Sequence, residues 1–180
     1  MKGQFFILGA LLICVMFFIG LPSMVSLVSP DVSDMEGLAD NAQQEIPRAL
    51  NLGILESSGS ASLEDFSGFL RSKMWERNIQ LSLVWVYSRP SSGGMDLTVG
   101  NYMGASEDIS LTLEGDERSF ALADGSTRTE SFSPTGDPLN LTLGFSSSEK
   151  SLSIERNKHS LYCYMVLKRG SELVVKEIVG

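Results

Sequence analysis

Histidine and cysteine are nearly absent from this chain, and their scarcity excludes several kinds of site. The 180 residues include one histidine, His159, and two cysteines, Cys14 and Cys163. A structural zinc site takes about four thiolate or imidazole ligands, which these residues do not supply. Cys14 lies in a long apolar segment, so Cys163 has no partner for a disulfide within the rest of the chain. Because Cys163 itself lies in an apolar run, we expect its thiol to be buried.

Motifs with a known catalytic mechanism are missing as well. The sequence has no G-x-S-x-G nucleophile elbow and no phosphate-binding glycine loop. His159 lies in the polar segment 156–160, which is typical of a turn between strands. The acidic clusters at 107–108 and 114–117 lack the spacing of a calcium-binding loop, and we interpret them as solvated turn charges. We therefore expect no catalytic residue, no metal and no cofactor.

Basic residues are outnumbered by acidic ones, and the two are unevenly placed. The formal net charge is −8, and residues 31–180 contain all 22 acidic residues and every basic residue except Lys2. Nucleic-acid binding requires clustered lysine and arginine on one surface. The acidic balance of residues 31–180 therefore argues against a nucleic-acid partner.

Charge is absent altogether from Phe5 to Val28, a run of 24 residues. As a helix this run would be about 36 Å long, enough to cross a hydrocarbon core of about 30 Å. It is longer than the core of a cleaved secretory signal and lacks an A-x-A-like cleavage site. The sequence therefore predicts a single-pass transmembrane helix within residues 1–30. Lys2 precedes it and the first basic residue after it is Arg48, which favours a cytoplasmic amino terminus and an extracytoplasmic remainder.

The residues that open this segment resemble a known signal. Lys2-Gly3-Gln4-Phe5, followed by an unbroken apolar helix, is similar to the amino terminus of archaeal type IV pilin-like proteins. The resemblance covers about the first 20 residues, and Leu8 stands where many pilins carry glutamate. It implies cleavage between Gly3 and Gln4, after which the retained helix would pack against other copies in a filament. An ordinary single-pass signal anchor is the alternative.

Residues 31–78 form a predicted helical linker region. Apolar residues from Met35 to Ile46 recur at helical spacing, and Pro47 is expected to break or bend that helix. A second helix is predicted to begin with Ser62 as its amino-terminal cap and Asp65 three residues on. Its predicted apolar stripe, which we expect to pack on the following sheet, consists of Leu63, Phe66, Phe69, Leu70 and Met74.

Residues 79–180 change to the two-residue period of β-strands. Eight or nine short strands are predicted, each with one apolar and one solvated face, which indicates an antiparallel β-sandwich. The run Leu161–Leu167 is apolar on both faces and is expected to lie inside the sheet or beneath a helix. The predicted strand ranges are 81–87, 95–101, 108–113, 118–123, 128–132, 139–145, 151–156, 160–168 and 172–178. The fold class is therefore α+β, with a transmembrane helix, a short helical region and a sandwich.

Asn140-Leu141-Thr142 is an N-x-T glycosylation acceptor, and strand alternation places Asn140 toward solvent. With no catalytic motif, two functional classes stand ahead. One is a pilin-like surface component that self-assembles through its membrane helix; the other is a monomeric, membrane-tethered binding or adhesion module whose ligand the sequence does not name. A membrane-anchored hydrolase is the third and has the least support.

Overall fold

The computed structural model describes residues 35–146 and 148–180. The predicted membrane segment and the predicted processing residues Gly3 and Gln4 lie outside the described residues. Residues 35–180 form one compact unit with an α+β fold. Its helices are α1 (Met35–Leu55) and α2 (Gly59–Trp75). Its strands are β1 (Gln80–Ser91), β2 (Gly94–Tyr102), β3 (Glu107–Leu113), β4 (Asp116–Leu122), β5 (Ser126–Phe132), β6 (Leu139–Phe145), β7 (Ser148–Ile154), β8 (Ser160–Arg169) and β9 (Glu172–Val179).

The strands form two antiparallel sheets, and the helices add a third layer. The larger sheet has the order β5-β2-β1-β8-β9 and the smaller one the order β4-β3-β6-β7. One apolar core joins the helices to one face of the five-stranded sheet, and a second core joins its other face to the four-stranded sheet. The described part of the chain is therefore a β-sandwich with a helical layer on one side. No helix in this part is long and apolar enough to span a membrane.

The prediction of one solvated face per strand is wrong for the centre of the five-stranded sheet. In β1, Leu83 and Trp85 face the helices while Val84 and Val86 face the other sheet, and all four are buried. A strand covered on both faces shows no polar alternation, because neither side chain direction reaches water. The prediction for Leu161–Leu167 is confirmed, since β8 lies inside the sheet with α1 packed over it.

Trp85 joins three elements at the centre of the helix-facing core. Its side chain has no exposed surface, and its indole Nε1 donates a hydrogen bond to Ser67 Oγ of α2 at 3.1 Å. The Ser67 hydroxyl in turn donates to the Leu63 carbonyl at 2.6 Å. On the neighbouring strand, Gly100 leaves room for the indole: a Cβ there would lie 2.2 Å from Trp85 Cε2. Trp85 therefore links α2 to the centre of the five-stranded sheet.

The predicted break at Pro47 does not occur, because α1 continues to Leu55 with Pro47 inside it. A proline in a helix interior loses a hydrogen bond and costs about 3 kcal/mol. Ile46 and Leu50, on either side of it, are 2% and 5% exposed and pack in the helix-facing core. Burial of this face across the proline offsets the local penalty, since tertiary packing supplies most helix stability in proteins.

The predicted cap at Ser62 is also wrong, because α2 begins at Gly59 with Ser58 at its cap position. Gly59 approaches the sheet closely, and a Cβ there would lie 3.0 Å from the Tyr87 hydroxyl. Leu63, Leu70 and Met74 of the predicted stripe are buried and Phe66 is half-buried, whereas Phe69 is 54% exposed. Ser67 takes the buried place between Leu63 and Leu70, so the true stripe is narrower than predicted.

All nine predicted strands are confirmed, with differences at some ends. β1 continues beyond its predicted end at residue 87 to Ser91, and Pro90 in this extension pairs with Met95. β7 lies about three residues earlier than predicted, at Ser148–Ile154. Alternation is confirmed in the smaller sheet: Ile109, Leu111 and Leu113 of β3 face the core, as does the row Leu139, Leu141, Leu143 and Phe145 of β6.

Candidate functional site

The two edges of the sandwich differ: at one edge the sheets contact each other, and at the other a cleft lies between them. At one edge β4 and β5 meet, where the Arg128 guanidinium lies over the Phe120 ring, 4.4 Å from its centroid. At the other edge, an ion pair of 2.5 Å between Lys150 of β7 and Glu177 of β9 links the sheets. Beside this ion pair lies a cleft of about 250 Å³ between the sheets, which we call the edge cleft.

Two rows of side chains form the walls of the edge cleft. Strand register places Val86, Tyr162 and Val179 side by side across β1, β8 and β9 on the face that looks toward the smaller sheet. Leu141 of β6 and Leu152 of β7 are paired neighbours on the opposite wall. Val86 and Val179 lie about half the chain apart in sequence. They meet here because β8 pairs with β1 on one side and with β9 on the other. Ser88, Ser153 and Ser160 add polar groups to this largely apolar lining.

The connection between β7 and β8 forms the polar lip of the cleft. His159 lies there in a turn, as predicted, and is exposed. Its ring stacks on Tyr87, with centroids 5.7 Å apart, and the Tyr87 Oη lies 2.7 Å from His159 Nδ1. Burial raises the pKa of Tyr87, so this phenol is neutral at physiological pH. Lys158 and Glu155, also on the lip, form an ion pair of 2.8 Å with each other.

Tyr162 is the most unusual residue of the cleft. Its side chain is 2% exposed, and its hydroxyl has no hydrogen-bond partner among the described residues. Burial, with a smaller contribution from the negative charge of Glu177, raises the pKa of this phenol, which keeps it protonated. Buried tyrosine hydroxyls usually find a partner, because desolvating one without compensation is unfavourable. The Tyr162 hydroxyl is therefore a buried polar group beneath the cleft, with almost no accessible surface of its own.

A second surface, which we call the β9 row, lies next to the cleft. Leu173, Val175 and Val179 are 58%, 44% and 73% exposed. They occupy alternate positions of an edge strand, opposite Val174 and Ile178, which pack toward the helices. Edge strands present unpaired backbone groups, and exposed apolar side chains beside them are typical of contact surfaces.

Two residues predicted from the sequence lie where expected. Cys163 has no exposed surface, and burial raises the pKa of its thiol, so the expected buried thiol is confirmed. Asn140 is exposed on β6, as strand alternation predicts, and its backbone N–H donates to Glu114 Oε1 at 2.7 Å. Neither residue lines the edge cleft.

The acidic clusters are engaged with nearby protein groups. Beyond the bond from Asn140 to Glu114, Asp116 pairs with Arg118 at 3.0 Å and Glu107 accepts a hydrogen bond from Ser146. Within residues 35–146 and 148–180, no three histidine, cysteine or acidic side chains lie close enough together to hold a metal ion.

His159→Ala is expected to leave the domain folded and any assembly or adhesion phenotype unchanged. The variant loses the Tyr87 hydrogen bond, which contributes about 0.5–1.5 kcal/mol, and an exposed ring contact. Urea unfolding compared with Tyr87→Phe, which removes the same hydrogen bond from the other side, checks this. A folded, membrane-bound His159→Ala protein that had lost a measurable activity would instead support the anchored hydrolase.

The sequence did not identify Tyr162 as a site residue, because nothing distinguishes Tyr162 from the other residues of its apolar run. The available signal was a phenol at a position expected to be buried on both sides, where its hydroxyl needs a partner. Comparison with known proteins adds no further assignment: no family model, no curated protein and no solved structure matches the chain.

Proposed function

We propose that this protein is a membrane-anchored, extracytoplasmic β-sandwich protein that acts as a pilin-like surface component. The observation that carries the proposal is the uncharged segment Phe5–Val28, preceded by Lys2-Gly3-Gln4. In this proposal the amino-terminal helix spans the membrane and packs against copies of itself, and residues 31–180 are displayed outside.

The described residues support a domain built for display. α1 begins at Met35, a few residues after the predicted membrane segment, and its buried face runs from Met35 to Gly53 along the sheet. Lys176 of β9 also binds the first turns of α1, by an ion pair with Glu36 and another of 2.9 Å with Asp40. The start of the domain is thus fixed to its last strand. The β9 row supplies an exposed apolar surface for contacts with other molecules.

A second candidate function is a monomeric tethered binding module, in which the same helix is only an anchor. The observation that favours it is the edge cleft, whose lining combines several apolar side chains with a few polar ones, as small-molecule sites do. The two candidates differ in what the membrane helix does, and they share the extracytoplasmic domain.

The mature amino terminus tests the pilin-like proposal. We expect mass spectrometry of the protein extracted from membranes to show a chain that begins at Gln4, because the resemblance places the cut after Gly3. A Gly3→Val variant is expected to stay uncut, and Gly9→Val, at a glycine beyond the signal, serves as the matched control. A mature chain that retained Met1 or Lys2 would reduce the protein to a plain anchor. A chain that began beyond Val28 would mean a secreted protein.

A further inference from the structure

The chain enters the domain at the end where α2 stops and β1 begins. The first residue of α2 lies close to Tyr87, near the far end of β1. At the other end of α2, Arg77 lines a groove together with Leu38 of the first turn of α1. Met35, the first residue of α1, therefore lies at the same end as Trp75, the last residue of α2. We call this the Trp75 end; it consists of residues 71–80 and 168–173, which the pairing of β1 with β8 brings together.

The Trp75 end combines exposed apolar side chains with basic ones. Trp75 is 80% exposed and Leu173 is 58% exposed. Trp75, Arg71 and Lys168 line one cleft of about 450 Å³. Tryptophan is enriched where membranes meet water, because its ring is apolar while its N–H is polar. An exposed tryptophan beside basic side chains is therefore the composition of a surface that contacts lipid headgroups.

The charge of the Trp75 end is opposite to that of the domain as a whole. Residues 71–80 and 168–173 contain five basic and two acidic residues, although residues 31–180 have an excess of acidic ones. Among the described residues, every basic side chain forms an ion pair except those of Arg77, Lys168 and Arg156. Two of these three lie at the Trp75 end, so positive charge without a protein partner is concentrated there.

In the proposed topology a short linker holds the Trp75 end close to the bilayer. Met35 follows Val28, the last residue of the uncharged segment, by seven residues. Seven residues span at most about 25 Å even when fully extended. The linker carries Asp31 and Asp34, so attraction to an anionic surface has to come from the domain itself.

We propose that the Trp75 end docks on the bilayer, with Trp75 among the lipid headgroups and with Arg77 and Lys168 against the phosphates of anionic lipids. Such a surface repels the acidic remainder of the domain, so the domain docks in this one orientation. The proposal rests on the membrane anchor of the proposed function. It applies to a pilin-like protomer outside a filament and to a monomeric module alike.

The two tryptophans of the chain make the contact measurable. Trp75 is exposed, Trp85 is fully buried, and the predicted membrane segment contains no tryptophan. The full-length chain is reconstituted in vesicles of equal parts phosphatidylcholine and phosphatidylglycerol, with or without acyl chains brominated near the headgroup. Bromine quenches tryptophan emission on contact, so the quenched fraction of the Trp75 emission gives the ratio of docked to undocked domain.

We expect brominated lipid to quench the emission of Trp75 and to leave that of Trp85, seen alone in Trp75→Phe, unchanged. The double variant Arg77→Gln with Lys168→Gln should lower the ratio of docked to undocked domain by about fivefold for each cation removed. This is the usual contribution of a basic side chain near an anionic membrane surface.

The matched control removes the same charge from the opposite end of the domain. Arg156 and Lys158 lie in the connection between β7 and β8, where His159 contacts Tyr87 near the end of β1. The double variant Arg156→Gln with Lys158→Gln is expected to leave the ratio unchanged, because these side chains lie away from the bilayer in the proposed orientation.

Three outcomes would overturn the proposal. Trp75 emission that brominated lipid leaves unquenched would place this end away from the bilayer. An equal loss of docking in the control pair would make the effect one of net charge alone. A blue shift of the Trp75 emission that grows with the protein-to-lipid ratio, without quenching, would show contact with a second copy instead. If the membrane anchor itself were wrong, the chain would not float with the vesicles at all, which distinguishes that failure from these three.

Discussion

Trp85→Ala is expected to lower the free energy of unfolding by about 3–5 kcal/mol, the range for truncating a large buried aromatic side chain. The indole is fully buried between α2 and β2, and its loss leaves a cavity that the surrounding sheet fills only in part. The variant also removes the hydrogen bond to Ser67 Oγ that positions α2. Urea unfolding of the full-length chain in detergent, followed by circular dichroism, measures the change.

The other tryptophan of the chain provides the control. Trp75 ends α2 and is 80% exposed, so Trp75→Ala is expected to change stability by no more than about 0.5 kcal/mol. Equal losses in the two variants would contradict the central place of Trp85 in the helix-facing core. A double variant, Trp85→Phe with Gly100→Ala, tests the same contact, because the smaller ring makes room for the methyl group that the indole excludes.

Ile13→Glu is expected to abolish surface display. In the proposed topology Ile13 lies near the middle of the predicted membrane helix, where an acidic side chain costs about 2.5–3.5 kcal/mol for insertion. Display is measured by adding protease to intact cells. With the natural chain we expect digestion of the extracytoplasmic domain and a protected fragment below about 4 kDa, the size of one spanning helix.

The matched control is the same exchange on the domain. Leu55, at the end of α1, is 83% exposed, so Leu55→Glu should fold and be displayed as the natural chain is. Ile13→Leu, which keeps the segment apolar, should also be displayed. Normal display of Ile13→Glu would remove the membrane helix from the proposal. Protection of the whole domain in intact cells, lost only on lysis, would reverse the proposed orientation.

The strands were predictable because their signal is local. Alternation such as Ile109, Leu111 and Leu113 against polar neighbours is set by the pleat of one strand, whatever its partners are. Helix ends were less predictable for the opposite reason. Pro47 and Ser62 carry strong local signals for an end and a start, yet packing against a sheet that begins at Gln80 decided both.

The layers and the edge cleft were beyond local reasoning. Nothing near Val84 or Trp85 tells whether each face of β1 meets a helix, a sheet or water, because the covering residues lie far along the chain. The cleft likewise requires Tyr162 to stand beside Val86 and Val179, which depends on strand order. The pilin-like resemblance concerns a part of the chain that the described residues do not include, so it stays a prediction.

The order of strands in the larger sheet has a consequence for how the chain matures. β1 ends at Ser91, but its inner neighbour β8 begins only at Ser160. A ribosome therefore releases β1, β2 and both helices long before β8 and β9, the strands on the other side of β1, exist. Until β8 has been made, Trp85 on β1 lacks its neighbour Cys163, the residue that pairs with it on β8. Pairing of this kind is slow and exposes apolar surface to aggregation. Nascent chains that stall before β8 are thus expected to need chaperones or to be degraded.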